Sequence, residues 1–195
     1  MRILVLYYSR NGSTAELARH VARGIEAAGA EAVLRTVPSV APEFEPRSAE
    51  IPDEGPPYAT IDDLRSCAGL VLGSPTRFGN MAAPLKHFLE RTSDLWLSGS
   101  LVDKPAGVFT SSTSAHGGQE STLLTMALPL VHHGMIWVGV PYTSSALFTT
   151  RGGGGPYGAS HVEAEWNAAV SADEAGIAHE LGRRVADVAR RMAGA

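Results

Sequence analysis

The chain is short of most features that reveal a function by abundance. One cysteine in 195 residues excludes an intrachain disulfide and a multi-thiolate metal site, and it fits a reducing cytoplasm. Only two lysines occur, Lys86 and Lys104, and neither follows a glycine-rich turn of the Walker type. A net charge of −4 with 18% charged residues leaves no electrostatic footprint for nucleic acid. No apolar run reaches membrane-spanning length, and the run 2–8 is too short and wrongly followed for a signal peptide. There is no His-Glu-x-x-His, and His132 and His133 are adjacent, so they point different ways on a helix; no metal site is expected. Gly153, Gly155 and Gly158 have a dinucleotide-like spacing, but Pro156 and the absence of a strand-to-helix context reject it.

What remains is a well-patterned core. With 44% hydrophobic residues the chain is not disordered, and a chain this size buries roughly 70% of its extended surface. The length suits one domain, 1–195, with insertions near 38–60, 94–102 and 143–171. The apolar run 2–8 reads as a strand buried on both faces. Ser13 as N-cap and Glu16 three residues on form a capping box, Leu17, Val21 and Ile25 mark the buried stripe, and Gly29 ends the helix. A strand over 31–37 completes a βαβ unit, which builds parallel sheets. Six of the twelve prolines (Pro38, Pro42, Pro46, Pro52, Pro56 and Pro57) make 38–60 an irregular loop. A short helix at 61–66, strands over 68–73, 105–110 and 135–140, and helices over 81–92, 121–132 and 172–192 follow. Cys67 is expected as a small core residue opening the third strand. The arginines at 183, 184, 190 and 191 read as a solvated helix face, with i,i+4 pairs Glu180–Arg184 and Asp187–Arg191. The whole is an α/β, doubly wound five-stranded parallel sheet with helices on both faces.

Chemistry in such sheets sits outside the carboxyl ends of the strands, where strand order reverses. Three loops therefore carry the functional reading. The first, Ser9, Arg10, Asn11, Gly12, Ser13 and Thr14, puts hydroxyls and backbone N–H groups at a helix N-terminus, as a phosphate requires. An ordinary capped turn needs fewer hydroxyls. The second runs Gly73-Ser74-Pro75-Thr76-Arg77-Phe78-Gly79-Asn80-Met81, shaped by Pro75 and Gly79. The third is hydroxyl-rich: Ser111, Ser112, Thr113, Ser114, Ala115, His116 and Gly117. Loops of that composition are usually solvated connectors, and its place at the carboxyl edge argues for binding.

Five strings occur in order: Tyr7-Tyr8-Ser9, Pro75-Thr76-Arg77-Phe78-Gly79-Asn80-Met81, His116-Gly117-Gly118-Gln119-Glu120, His132-His133-Gly134-Met135 and Gly155-Pro156-Tyr157-Gly158-Ala159. Together they resemble the WrbA-type NAD(P)H:quinone oxidoreductases, flavodoxin-like proteins that use FMN, and the resemblance implies a flavodoxin-like sheet of strand order 2-1-3-4-5. The resemblance covers about residues 2–160. It implies that 9–14 hold the FMN phosphate, that Thr76, Arg77 and Phe78 line the isoalloxazine, and that 111–117 meet the ribityl chain and ring. It places His132 at the flavin site, and Trp96 over the ring, often from a neighbouring subunit. A core role for Trp96 is the alternative. Asn11 stands where the family commonly has a tyrosine linked to nicotinamide contact, and Ser160-His161-Val162-Glu163-Ala164-Glu165-Trp166-Asn167 replaces the usual Asp-Gly-Ser-Arg-Gln-Pro-like segment.

The expectation is a cytoplasmic, homotetrameric enzyme passing two electrons from NADH or NADPH through FMN to a quinone. Trp96, Phe78 and Asn11 are the substrate-side residues, and His132 is the candidate proton donor, since histidine exchanges protons near neutral pH. The rival is a flavodoxin-type carrier of single electrons between protein partners. No nucleic acid, membrane insertion or metal is expected.

Overall fold

The computed structural model describes residues 1–41, 51–163 and 169–194. Pro42 and Pro46 of the expected loop, and Ala164, Glu165, Trp166 and Asn167 of the divergent segment, lie outside the described residues.

The elements run β1 (Arg2–Tyr7), α1 (Ser13–Ala27), β2 (Glu31–Thr36), α2 (Ile61–Ser66), β3 (Gly69–Pro75), α3 (Ala83–Glu90), α4 (Ser93–Leu97), β4 (Pro105–Ser112), α5 (Gln119–His132), β5 (Ile136–Trp137), α6 (Ala146–Thr149), β6 (Ala159–Val162) and α7 (Ala172–Ala193). The pairings between these strands are all parallel, in the expected order β2-β1-β3-β4-β5. Side chains alternate across β1: Leu4 and Leu6 join a core beneath α2 to α5, while Ile3, Val5 and Tyr7 join another beneath α1 and α7. Helices therefore cover both faces. Helices α1 and α7 pack closely because Gly182 lacks a Cβ, which would stand 2.1 Å from the Val21 carbonyl oxygen.

The fifth position of the sheet departs from expectation. A single strand over 135–140 was expected, but the edge is built from two segments. β5 pairs Ile136 and Trp137 with the start of β4, and β6 pairs Ala159 to Val162 with its end, Phe109 to Ser112. Val138 N still bonds Ala106 O at 2.7 Å, then Val140 N turns to Pro156 O at 3.0 Å. The chain thus leaves the sheet and returns at almost the same point, with α6 in the excursion. The helix expected over 81–92 is α3, and a further short helix, α4, begins just beyond it, after Thr92 Oγ1 donates to Leu89 O at 2.6 Å.

Smaller corrections are local. Cys67 closes α2 rather than opening β3, its Sγ donating to Leu64 O at 3.1 Å, and it is buried as expected. Arg183 bridges Glu180 and Asp187, and Arg190 pairs with Asp187, so Arg183 and Arg190 take the roles expected of Arg184 and Arg191. Gly29 does end α1, at φ 76°.

One buried carboxylate ties the excursion to the sheet. Glu174 Oε1 accepts from Gly153 N at 2.7 Å and Val162 N at 2.9 Å. Its Oε2 accepts from Ser171 N at 2.8 Å and lies 3.0 Å from His161 Nδ1. Both side chains are buried. Burial alone would raise the Glu174 pKa, but hydrogen bonds from His161, Ser171, Val162 and Gly153 outweigh it and bring it from 4.5 to about 2. The folded value lies below the unfolded one, so the stabilisation is present above pH 4.5 and is lost as pH falls toward about 2. Glu174→Ala leaves these buried donors unpaired and should cost about 3–5 kcal/mol in urea unfolding at pH 7. The difference between variant and wild type should shrink across that acid window.

Candidate functional site

The parallel register carries the ends of β1, β3, β4 and β6 to one edge: Tyr7 pairs with Gly73, Pro75 with Ser111, and Ser112 with Val162. The loops leaving these strands meet in a cleft of about 70 Å³. Ser9, Arg10, Asn11, Ser13, Thr14, Pro75, Thr76, Arg77, Ser111, Ser112, Thr113 and Glu163 line it. The structure therefore brings together side chains from all three loops singled out in the sequence.

The first loop is built differently from the expected capping box. Gly12 is the N-cap, at φ 99°, a conformation L side chains rarely adopt, and a Cβ there would face open space. Ser9 Oγ accepts from Gly12 N at 3.2 Å and Ala15 N at 3.3 Å. Ser13 is thus the first helical residue, not the cap, and Glu16 pairs with Arg19 instead of the N-cap backbone. Thr14 Oγ1 lies 2.8 Å from Ser111 Oγ, a buried link between the first and third loops. Hydroxyls, backbone N–H groups and the positive end of α1 converge on the cleft, and Arg10 and Arg77 are exposed at it. That donor set fits a phosphate monoester such as the FMN phosphate.

The second loop is a tight turn. Arg77 N bonds Asn80 O at 2.8 Å and Asn80 N bonds Arg77 O at 3.0 Å, with Phe78 at φ 52° and Gly79 at φ 76°. Positive φ at both central residues is what a type I′ turn requires, and Asn or Gly normally occupies them. Phe78 is also fully exposed. An aromatic ring without burial, on strained backbone, has no stabilising role in the isolated chain, which marks it as a contact surface.

The third and second loops are held from α5 by two residues whose roles the sequence reading missed. Gln119, buried at the start of α5, donates from Nε2 to Ser112 Oγ at 2.7 Å, Ser114 O at 2.8 Å and Ala115 O at 3.1 Å. Thr122 Oγ1, one helical turn on, lies 2.8 Å from Thr76 Oγ1 and joins the second loop to α5. Thr113, Ser114, Ala115 and His116 are exposed. Glu163 was likewise not singled out for the cleft; only its place just after a strand end could have suggested it.

His132 and Trp96 do not line this cleft. Both line a separate groove of about 580 Å³ between α3, α4 and α5, with Asn80, Met81, Lys86 and Leu128 among its walls. Asn80 and Met81 are the link, since the turn they close also carries Arg77 into the cleft. Trp96 is 55% exposed, and its neighbour Leu95 is the buried anchor. His133 lines the same groove, its Nε2 2.9 Å from Thr92 Oγ1, and burial lowers its pKa. No metal-binding cluster of His, Cys, Asp or Glu occurs among the described residues.

Residues 1–149 match the family described as NADPH-dependent FMN reductase. The chain belongs to that family. It is also 41% identical, over 98% of both chains, to a protein of Syntrophobacter fumaroxidans named NAD(P)H dehydrogenase (quinone). A protein of the same name from Geobacter sulfurreducens is 43% identical over 100% of both. Among solved structures, a WrbA-like flavodoxin from Agrobacterium tumefaciens superimposes with TM-score 0.69 at 26% identity, covering 97% of this chain and 98% of that one. An archaeal flavodoxin, at 17% identity and TM-score 0.65, shares the fold. Within this FMN-binding family the exposed Phe78 turn invites a direct test. Phe78→Asn should raise the stability of the flavin-free protein by about 0.5–1 kcal/mol by relieving the turn, and should weaken FMN binding. Unfolding and flavin titration on the same preparation measure both.

Proposed function

We propose that the protein is an FMN-dependent oxidoreductase that passes two electrons from NADH or NADPH to quinones of the benzoquinone type. The observation that carries this is the convergence of two hydroxyl-rich loops and an exposed aromatic turn on the N-terminus of α1. The two relatives named NAD(P)H dehydrogenase (quinone), at 41% and 43% identity, support the choice of acceptor. Bound FMN supplies the two-electron chemistry. The chain's own residues bind and orient it: Ser9, Asn11, Ser13, Thr14 and the backbone of Gly12 toward the phosphate, and Pro75, Thr76, Arg77, Phe78, Gly79 and Asn80 along the ring. Ser111, Ser112, Thr113, Ser114, Ala115, His116 and Gly117 take the ribityl side, with Arg10 as the cation at the mouth. Asn11 and Phe78 face the incoming substrates.

Trp96 and His132 take part through a neighbouring copy. Trp96, Leu97, Leu128 and Val131 form an exposed apolar face beside the groove, an arrangement suited to self-association. In a homotetramer this face would close over the cleft of another subunit, supplying Trp96 as a ring cover and His132 as a proton donor to the reduced quinone. A reducing cytoplasm suits the buried free thiol of Cys67. A single-electron carrier usually presents a strongly acidic face, and the mild net charge of −4 favours the enzyme.

Purified protein with FMN, NADH or NADPH and benzoquinone should give parallel double-reciprocal lines, the mark of two substrates alternating in one pocket; intersecting lines would reject that arrangement. His132→Asn should slow quinone reduction about tenfold or more while leaving flavin reduction by NAD(P)H nearly unchanged. Stopped-flow measurement of each half-reaction separates the two.

Light scattering at micromolar concentration should return four times the monomer mass. Trp96→Ala with Leu128→Ser should lower that mass, and a wild-type monomer would remove Trp96 and His132 from the site.

A further inference from the structure

Every donor in the cleft suits a phosphate, yet one acidic side chain faces the same space. Glu163 is only 8% exposed and lines the cleft with Ser9, Ser13, Thr14 and Ser112. Ser13 Oγ, on the first turn of α1, donates to Glu163 Oε2 at 3.3 Å. Its backbone is held as firmly as a strand, since Glu163 N bonds Ser112 O at 2.8 Å and extends the β4–β6 ladder by one rung. Among the described residues it is the only acidic one lining the cleft. A carboxylate at the positive end of a helix, accepting from a helix-start hydroxyl, sits where an anion is favoured. The chain thus presents its own anion to an anion site. The Ser13 hydroxyl that Glu163 engages is one of the donors lining the cleft that a phosphate would use, so the two anions compete for it.

We propose that Glu163 is an intrachain occupant of the phosphate cradle, which the phosphate of FMN must displace, and that it sets how tightly this protein holds a phosphorylated flavin. The proposal rests on the reading of this cleft as the cofactor-phosphate site. With the backbone pinned by β4, displacement is a rotation of the Glu163 side chain rather than a movement of the strand. The carboxylate keeps the Ser13 hydroxyl partnered in the flavin-free chain, and its charge opposes the incoming phosphate. Riboflavin, which has no phosphate, is spared that opposition.

The test uses the full chain stripped of flavin, titrated with FMN and with riboflavin by fluorescence quenching. Glu163→Gln, nearly isosteric, should tighten FMN by roughly tenfold or more and leave riboflavin within about twofold. Glu163→Ala should act in the same direction, which guards against an effect peculiar to the amide. Ser9→Ala reports on the cleft itself and should weaken FMN without affecting riboflavin. If Ser9→Ala weakens FMN while both Glu163 variants leave it unchanged or weaken it, Glu163 assists the cofactor or ignores it. The competitor role then falls and the cleft reading stands. If none of the three moves FMN binding, the phosphate lies elsewhere and the proposal goes with it.

Discussion

Four parallel pairings between the second half of β4 and β6, Phe109 with Ala159 through Ser112 with Val162, hold the outer wall of the cleft. The rest of the site depends on them because a parallel sheet delivers loops to an edge only where strands end in register. β4 is buried along its whole length and paired on both sides, so its carboxyl end is the fixed point. β6 is only four residues long and follows a long excursion, so it needs another anchor. Glu174 provides it by gathering the backbone of Gly153 and Val162 at the first turn of α7. A buried carboxylate is a costly way to hold a loop unless nearly every lone pair is engaged, and here four donors reach it.

The parts of the fold legible in the sequence are those whose signal is local. β1 and β3 are apolar runs between turn residues, and the i,i+4 stripe of α1 runs through Leu17, Val21 and Ile25 to Gly29. None of these needs knowledge of a distant partner. β6 was missed because Ala-Ser-His-Val has neither alternation nor a β-branched run, and its place is dictated by β4 and by a carboxylate in α7. The capping of α1 was misread for a related reason. Ser13 and Glu16 have capping-box spacing, yet Ser9, six residues before Ala15, had already taken the loop's N–H groups. A spacing rule sees one partner and not its competitor.

The same contrast holds at the candidate site. The three loops are visible as polar strings after strand ends, two of them rich in hydroxyls. Gln119 and Thr122, which fix two of those loops from the inside of α5, are not, because nothing in a helix start announces which loop its side chains will hold. Glu163 was hidden by the missed strand: without β6 its side chain has no predicted neighbour. Trp96 and His132 were singled out by likeness alone, and they share one groove, a grouping that spacing in the sequence could not show.

Two phenylalanines show how the edge divides stability from function. Phe109 is wholly buried on β4, its ring filling the space that a side chain at Gly73 would need on the adjacent strand. That pairing of a large residue with none lets β3 and β4 run together up to the site. Phe78, beyond the end of β3, is fully exposed at positive φ. The strain there is carried by a two-residue turn closed by two backbone hydrogen bonds, and α5 holds it at Thr76 through Thr122 and at the Gly79 carbonyl through Thr125. The turn is therefore held from outside itself. A side chain the isolated chain would rather bury is kept presented at the rim, and the core beneath bears none of the cost.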